Sequence, residues 1–258
     1  MPRFAANLTM LFTEAPMAER FALAAEAGFQ GVEILFPYDI AAWELANAAT
    51  DAGLEIVLIN TPPPNWAGGP RGFAAVPGLE ERFRRDFERS LRVAQALRTR
   101  HIHIMSGRAG GDVARDVLVR NLEWAVQRAP HASLTIEPIN RVDMPGYFLA
   151  DYDLAIDVIR QVAAPNLGLQ FDAYHAQMIT GNMLACWRMV APLVRHIQIA
   201  GHPGRNEPDC GSMDYPAFFA ELDRGGYRGW VSAEYNPART TAHGLDWLRS
   251  ALGATPAR

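Results

Sequence analysis

Short apolar runs alternate with longer amphipathic stretches along the whole chain of 258 residues. Eight of these runs have the two-residue period of β-strands, and stretches with the period of a helix lie between them. The eight runs are FAANL from Phe4, GVEIL from Gly31, EIVLIN from Glu55, HIHIM from His101, SLTIE from Ser133, LGLQFD from Leu167, RHIQIA from Arg195 and WVSAE from Trp230. This alternation predicts a parallel sheet covered by helices.

Eight strand–helix units in a chain of this length favour a closed (β/α)8 TIM barrel over an open sheet, so we expect one domain over residues 1–258. The sequence has no GxGxxG after the first strand and no GxxxxGK[ST], so neither a dinucleotide site nor a nucleotide triphosphate site is indicated. The long Pro/Gly-rich connection over 61–78 follows the third strand and is either a lid or a plain surface loop. We expect a flexible tail from about residue 254 to residue 258.

Polar side chains recur on one side of the later strands. Side chains alternate along a strand, and in a barrel the aliphatic side packs on the helices while the polar side faces the lumen. The last polar residues of strands five to eight are, in order, Glu137, Asp172, Gln198 and Glu234. All four stand at carboxyl ends, where barrel enzymes build their active sites, so we expect them to converge.

Three carboxylates that meet at one barrel mouth repel each other unless a cation compensates their charge. The four groups offer oxygen donors, which suit Mg²⁺ or Mn²⁺ better than structural zinc. The sequence therefore predicts a divalent metal site at Glu137, Asp172, Gln198 and Glu234. The alternative is that each acid is an ordinary solvated strand end.

Composition narrows the classes of partner. The net charge is -4, and apolar residues make up 49% of the chain, which is typical of a globular protein with a large core. We expect no nucleic-acid partner and no membrane partner, because the net charge attracts neither phosphate backbones nor anionic lipid and no apolar run approaches ~20 residues. The two cysteines, Cys186 and Cys210, form no metal pattern, and the N-terminal stretch is too broken for a signal peptide. We therefore expect a cytoplasmic protein.

Several longer motifs carry a family resemblance. The runs EPINRVDMPGYFL and PGRNEP are specific, and LQFDAYH and GWVSAEYNP extend the likeness over nearly the whole chain. With these motifs the chain resembles hydroxypyruvate isomerase and its relatives acting on four-carbon keto acids, within the xylose isomerase-like barrels. The resemblance implies that the four strand-end residues hold a divalent metal and that Glu137 and Glu234 are the acid/base pair. It is compatible with a homo-oligomer.

The resemblance implies isomerisation of a small anionic keto acid through an enediolate, as in hydroxypyruvate to tartronate semialdehyde, or of a four-carbon 2-oxo-tetronate. A ketose 3-epimerase or a sugar-acid dehydratase on the same barrel is the alternative reaction. A non-catalytic sugar-acid binding protein is the alternative of another class. A repair endonuclease shares the barrel, but it needs several histidine ligands and a basic groove.

Six further residues are candidate substrate contacts: His175, Arg205, His202, Glu33, Arg71 and Arg108. His175 and Arg205 match substrate-contacting positions of related sugar epimerases, although His175 could instead cap a helix and Arg205 could be an ordinary surface residue. His202 is a candidate of the same kind as Arg205, and Glu33 would reach the substrate from across the barrel. Arg71 and Arg108 are the next cations that could bind a carboxylate.

Three other polar residues are not assigned to the site, and two positions differ from the family pattern. His101 and His103 face the lumen at a lower level, which favours histidines satisfied within the core. Ser106 lacks the GxSxG context of a nucleophile. The family commonly has lysine at position 236 and glutamate at position 212, where this chain has Asn236 and Ser212. A missing lysine beside Glu234 would weaken the attraction for an anionic substrate.

Overall fold

The computed structural model describes residues 2–62 and 71–253. Eight parallel strands form a closed barrel in sequence order, which confirms the predicted (β/α)8 fold. The strands are β1 Arg3–Asn7, β2 Gly31–Glu33, β3 Glu55–Asn60, β4 His101–His103, β5 Ser133–Ile136, β6 Leu167–Asp172, β7 Val194–Ile199 and β8 Trp230–Ala233. Strand β8 pairs with β1 and closes the barrel.

Helices cover the outside of the barrel. They are α1 Met17–Glu26, α2 Ala42–Asp51, α3 Glu80–Leu97, α4 Gly111–Arg128, α5 Tyr152–Val162, α6 Ala173–Thr180, α7 Met183–Val190, α8 Tyr215–Arg224 and α9 Asp246–Ala251. Short 3₁₀ turns occupy Ala191–Leu193 and Thr241–Gly244. Every helix in the described ranges is too short or too polar to cross a membrane.

The main hydrophobic core lies between the barrel and the helices. Phe171 of β6 points outward, with its ring centroid 5.5 Å from Trp187 of α7 and 6.0 Å from Phe218 of α8. Between neighbouring helices, Trp124 of α4 packs on Phe87 of α3, with ring centroids 5.6 Å apart. Outward positions are therefore aromatic or aliphatic, and the alternate positions face the lumen and are free to be polar.

The connection after β3 packs onto the barrel where it is described. Gly72 forms a bridge with Ser106, and the side chain of Asn121 donates to the Ala74 carbonyl at 2.8 Å. Gly72 has a φ of 88°, and a Cβ there would collide with the backbone of Met105. Residues 63–70 of the proposed lid and 254–258 of the expected tail lie outside the described residues.

Candidate active site at the carboxyl ends of the strands

The four strand-end residues meet at one end of the barrel and are all buried. Asp172 is the last residue of β6 and is paired in register with Gln198 of β7. Glu137 and Glu234 each stand one residue beyond the last residue of their strands, and the Glu234 amide continues the ladder to the Ile199 carbonyl at 3.1 Å. The parity of each strand thus places its polar end in the lumen.

Two glutamine amides connect the carboxylates. Gln170 Nε2 donates to Glu137 Oε2 at 3.0 Å and to Gln198 Oε1 at 2.8 Å. Gln198 Nε2 in turn donates to Glu33 Oε1 at 2.8 Å and to Glu234 Oε2. The Gln198 amide donates to two acids at once, Glu33 and Glu234, which lowers their mutual repulsion, and the Gln170 amide links Glu137 to Gln198.

Glu33, the last residue of β2, belongs to the same hydrogen-bond network. Its Oε1 also accepts from Asn7 Nδ2 at 2.9 Å, and its Oε2 contacts His196 Nε2 at 2.8 Å. The same Asn7 amide donates to Glu234 Oε2 at 2.9 Å. Both oxygens of Glu33 therefore contact protein groups and its side chain is fully buried, an arrangement that suits a supporting residue beneath Glu234.

Asp172 and His175 stand together because β6 runs directly into α6. Asp172 Oδ1 accepts from the amides of Tyr174 and His175, which caps the helix. Asp172 Oδ2 faces the lumen, 3.6 Å from His175 Nε2. Ligand atoms of Glu137, Asp172 and His175 lie within 4.8 Å of one another, so His175 joins the candidate metal donors as well as the candidate substrate contacts. Asn140 Nδ2 lies 2.7 Å from His175 Nδ1 and orients the ring.

Arg205 reaches into the cluster from the loop after β7. Its Nη2 donates to Asp172 Oδ2 at 3.2 Å and to Glu234 Oε1 at 2.5 Å. The guanidinium carbon lies 5.3 Å from the centre of the Tyr174 ring. Arg205 has a φ of 55°, a left-handed conformation that costs free energy in a residue with a Cβ.

Burial dominates the electrostatics of the acids. It raises the pKa of Glu137 well above its usual value, and Asp172 and Glu234 raise that pKa further. Burial likewise raises the pKa of Glu234, although Arg205 opposes the shift. Burial raises the pKa of Glu33 to about 7. For Glu137 and Glu234 the neighbouring acids add to the effect of burial on the pKa, whereas the hydrogen bonds of Glu33 oppose it.

The lumen histidines do not supply compensating charge. Burial lowers the pKa of His103 and of His196 to about 3, and that of His175 to about 4. His103 packs against the site, with its Nδ1 at 3.2 Å from Asn60 Oδ1 and 3.6 Å from Glu137 Oε2. A neutral imidazole is the form that binds a metal. The buried carboxylates of Glu137, Asp172 and Glu234 and a neutral His175 therefore offer donors that fit a divalent cation, while Arg205 balances part of their charge.

The remaining candidates lie in loops at the same end of the barrel. His202 follows β7, with its Nδ1 3.3 Å from Ser212 Oγ and its ring 6.2 Å from the Tyr174 ring. Arg71 is exposed, with its guanidinium carbon 5.7 Å from the Phe36 ring centre. Arg108 is exposed in the loop after β4 and bridges Tyr147 through its backbone.

Sequence reasoning did not single out Asn7 or Asn140. Asn7 is the last residue of β1 and is fully buried, so the parity argument used for the later strands also applies to it. Asn140 lies in a loop without a repeating pattern, so no strand signal marks it. His101 is buried with its Nδ1 2.8 Å from Ser133 Oγ, as expected for a satisfied core histidine.

Comparisons with known proteins identify the family to which this chain belongs. Residues 21–251 match the model of the xylose isomerase-like TIM barrel family. The chain is 43% identical over 259 residues to a 2-oxo-tetronate isomerase of Cupriavidus necator, covering 98% of this chain and 100% of the relative. It is 39% identical over 254 residues to the hydroxypyruvate isomerase of Escherichia coli, with 96% and 98% covered.

A crystal structure of a protein described as AP endonuclease, family 2, from Brucella melitensis superposes with a TM-score of 0.93. It is 43% identical to this chain, and the match covers 97% of this chain and 99% of that one. The fold, the strand-end cluster and the near full-length identities agree. The chain therefore belongs to the 2-oxo-tetronate isomerase and hydroxypyruvate isomerase family of xylose isomerase-like TIM barrels, and it is an isomerase.

Proposed function

We propose that this isomerase interconverts hydroxypyruvate and tartronate semialdehyde, or the corresponding pair of four-carbon 2-oxo-tetronates, with the help of a divalent metal. The observation that carries the proposal is the placement of Glu137 and Glu234. They come from β5 and β8 and flank Asp172 and Gln198 of the intervening strands. A small substrate at this mouth would have one carboxyl group on either side.

Glu137, Asp172 and Glu234 would hold the metal, with Gln198 and His175 as the neutral donors. Gln198 Oε1 now accepts from Gln170. Exchange of the amide oxygen and nitrogen would turn that oxygen toward Glu234. Mg²⁺ or Mn²⁺ suits these mostly oxygen donors, and when bound it would stabilise the negative charge that develops on the substrate oxygens.

The two glutamates carry the proton transfers. In hydroxypyruvate one glutamate removes a proton from the carbon that bears the hydroxyl group, and an enediolate forms. A carboxyl group then returns a proton to the adjacent carbon, and the hydroxyl proton moves from the first oxygen to the second, so that an aldehyde and a secondary alcohol result. Proton transfer by positioned carboxyl groups contributes about 10²–10⁴-fold to such a rate.

The contacts distinguish the two glutamates. Glu234 accepts from Arg205 and Asn7, and both of these bonds favour its ionised form. Glu137 accepts from Gln170 alone among the described side-chain amide and guanidinium donors. We therefore assign Glu234 as the initial base and Glu137 as the group that delivers the proton.

Recognition of the substrate carboxylate requires a cation. Arg205 already faces Asp172 and Glu234, so it serves the site's own acids. Arg71 and Arg108 project from the loops after β3 and β4 at the same end and are exposed. Their guanidinium groups have the planar fork that binds a carboxylate, and we assign carboxylate recognition to this pair.

The proposal is tested by incubating the metal-loaded protein with hydroxypyruvate in deuterated water. We expect tartronate semialdehyde that carries deuterium at the new C–H bond, and a Glu234→Gln variant, which lacks the assigned initial base, should show little of either product or exchange. A panel of four-carbon keto acids and neutral ketoses then identifies the preferred substrate.

Three results would count against this function. Binding without exchange would indicate a sugar-acid binding protein. An epimer or a dehydrated product would indicate one of the rival reactions. Cleavage of an abasic-site duplex under the same conditions would favour the activity in the description of the Brucella relative.

A further inference from the structure

A cavity opens at the end of the barrel opposite the candidate active site, where the strands begin. It has a volume of about 690 Å³ and is lined by Arg100, Arg195 and Arg228, together with His101 and Ser133. Arg100 directly precedes β4, and Arg195 lies near the start of β7. Among the described residues that line this basal pocket there is no acidic side chain, although the chain as a whole carries a net charge of -4.

Arg195 occupies an unusual position in the sheet. The register between β6 and β7 pairs Leu169 with Val194 and Gln170 with His196, which leaves Arg195 as an extra, bulged residue. A Cβ on Gly168 would collide with the Arg195 side chain, so the glycine provides the space through which this side chain runs. Arg195 Nη2 donates to the Pro165 carbonyl at 2.9 Å, which holds the guanidinium at the base of the barrel.

The charge of the basal pocket is only partly balanced. Arg100 pairs with Glu55 at 2.5 Å, and Glu55 is also 3.6 Å from Arg3. Neither Arg195 nor Arg228 forms an ion pair within residues 2–62 and 71–253. The pocket thus keeps an excess of positive charge.

The positive charge of the arginines also acts on His101, which lines the basal pocket. Its ring is 6% exposed and its Nδ1 lies 2.8 Å from Ser133 Oγ. Burial lowers the pKa of His101 well below its usual value, and His196, Arg100 and Arg195 lower it further. The arginines therefore act on a group at the inner wall of the cavity as well as on the surface.

We propose that the basal pocket binds a small phosphate-bearing anion, either inorganic phosphate or a phosphate monoester. Guanidinium groups bind phosphate oxygens in pairs, and a cavity of this volume is in the range of small-molecule sites. The basal pocket is distinct from the candidate active site, because three residue steps along β7 separate Arg195 from Gln198, or roughly 10 Å. The proposal does not depend on the isomerase substrate.

The test is a calorimetric titration of the full chain with inorganic phosphate and, separately, with glycerol 3-phosphate, at ionic strength held constant with chloride. We expect one saturable site for at least one of the two ligands. Arg195→Gln and Arg228→Gln should each raise its dissociation constant at least about tenfold, the effect of losing one strong charged contact. Saturation by both ligands identifies a general phosphate site, and saturation by the monoester alone identifies a phosphorylated metabolite.

Two further variants give the matched controls. Arg120→Gln removes an exposed arginine from α4, and Arg108→Gln removes an exposed arginine at the opposite mouth. Both should bind phosphate like the parent. Arg228→Gln is the second variant because Arg195 also bonds the backbone at Pro165, so its loss could disturb the fold. Binding that is lost in Arg108→Gln but kept in both basal-pocket variants would place the anion in the active site and overturn the proposal, as would the absence of saturable binding.

Discussion

Replacing Arg205 tests whether its guanidinium serves the carboxylates of the site or the carboxylate of the substrate. In the structure it bonds Asp172 at 3.2 Å and Glu234 at 2.5 Å, and its charge lowers the pKa of Glu137 and Glu234. Without it, both glutamates should hold protons to higher pH. The substrate's net charge does not enter this argument, so acidic and neutral substrates should lose activity alike.

The size of the effect follows from the contacts. A hydrogen bond to a charged group contributes about 1.5–3 kcal/mol, and breaking a buried ion pair from one side costs about 3–5 kcal/mol. If the lost contacts destabilise the transition state by only ~2.7 kcal/mol relative to the free enzyme and substrate, kcat/KM falls by about 10²-fold. We expect a loss of about 10² or more in kcat/KM for Arg205→Gln. The loss should be smaller for Arg205→Lys, which keeps the charge but not the planar fork.

The assay measures kcat and KM on hydroxypyruvate and on dihydroxyacetone, with saturating metal, from mildly acidic to mildly alkaline pH. Because Arg205 lowers the pKa of the two glutamates, its loss should move the acidic limb of the profile to higher pH, and part of the lost rate should return on the alkaline side. Arg141→Lys, at an exposed position after β5, is the matched control. A loss confined to hydroxypyruvate, with an unshifted profile, would show instead that Arg205 binds the substrate carboxylate.

Three other results are expected. Chelation of divalent metal should abolish activity and lower the melting temperature, and Mg²⁺ or Mn²⁺ should restore both; full activity in metal-free protein would contradict the donor set. Glu137→Gln and Glu234→Gln should each lower kcat by about 10²-fold or more with little change in KM, and a residue whose variant stays within a few fold of the parent is a ligand only. Burial lowers the pKa of His103 and His196 to about 3 from 6.5, so the unfolded chain binds more protons between these values. Stability should therefore fall as pH drops through that window, by up to about 1.4 kcal/mol per pH unit for each histidine. Urea unfolding measured at several pH values should show that the unfolding free energy of His103→Leu depends less steeply on pH than that of the parent. An equally steep dependence on pH would mean that His103 is charged in the fold.

The strand ends of the site were predictable because parity and register are local properties. Once Thr135 and Gln170 are assigned to the lumen, Glu137 and Asp172 must follow them two residues later. Barrel closure then brings these ends to one mouth whatever the loops do. This is why four positions from distant parts of the sequence could be assembled without an alignment.

Contacts across the barrel and within loops were not predictable in the same way. The bond between Glu33 of β2 and His196 of β7 joins strands that are not neighbours, so it depends on the stagger of the whole barrel. The position of Arg205 depends on a loop with a left-handed residue, and the contact of Asn140 with His175 joins a loop to the first turn of α6. No periodic pattern encodes such geometry. The sequence could therefore name Arg205 as a candidate but could not tell which carboxylates it meets.

The departure at position 236 bears on this same loop. The Asn236 amide donates to the Arg205 carbonyl at 2.8 Å, and Asn206 Nδ2 donates to the Asn236 carbonyl at 2.8 Å. Both bonds use the backbone of residue 236, so they form with any residue other than proline at the donor position. The Asn236 side chain is exposed, and a lysine there would add charge at the rim of the site without supporting the loop. The backbone bonds that support the Arg205 loop are thus independent of which side chain stands at position 236. We therefore expect the substitution to change the long-range attraction of an anionic substrate rather than the charge balance of the strand-end carboxylates.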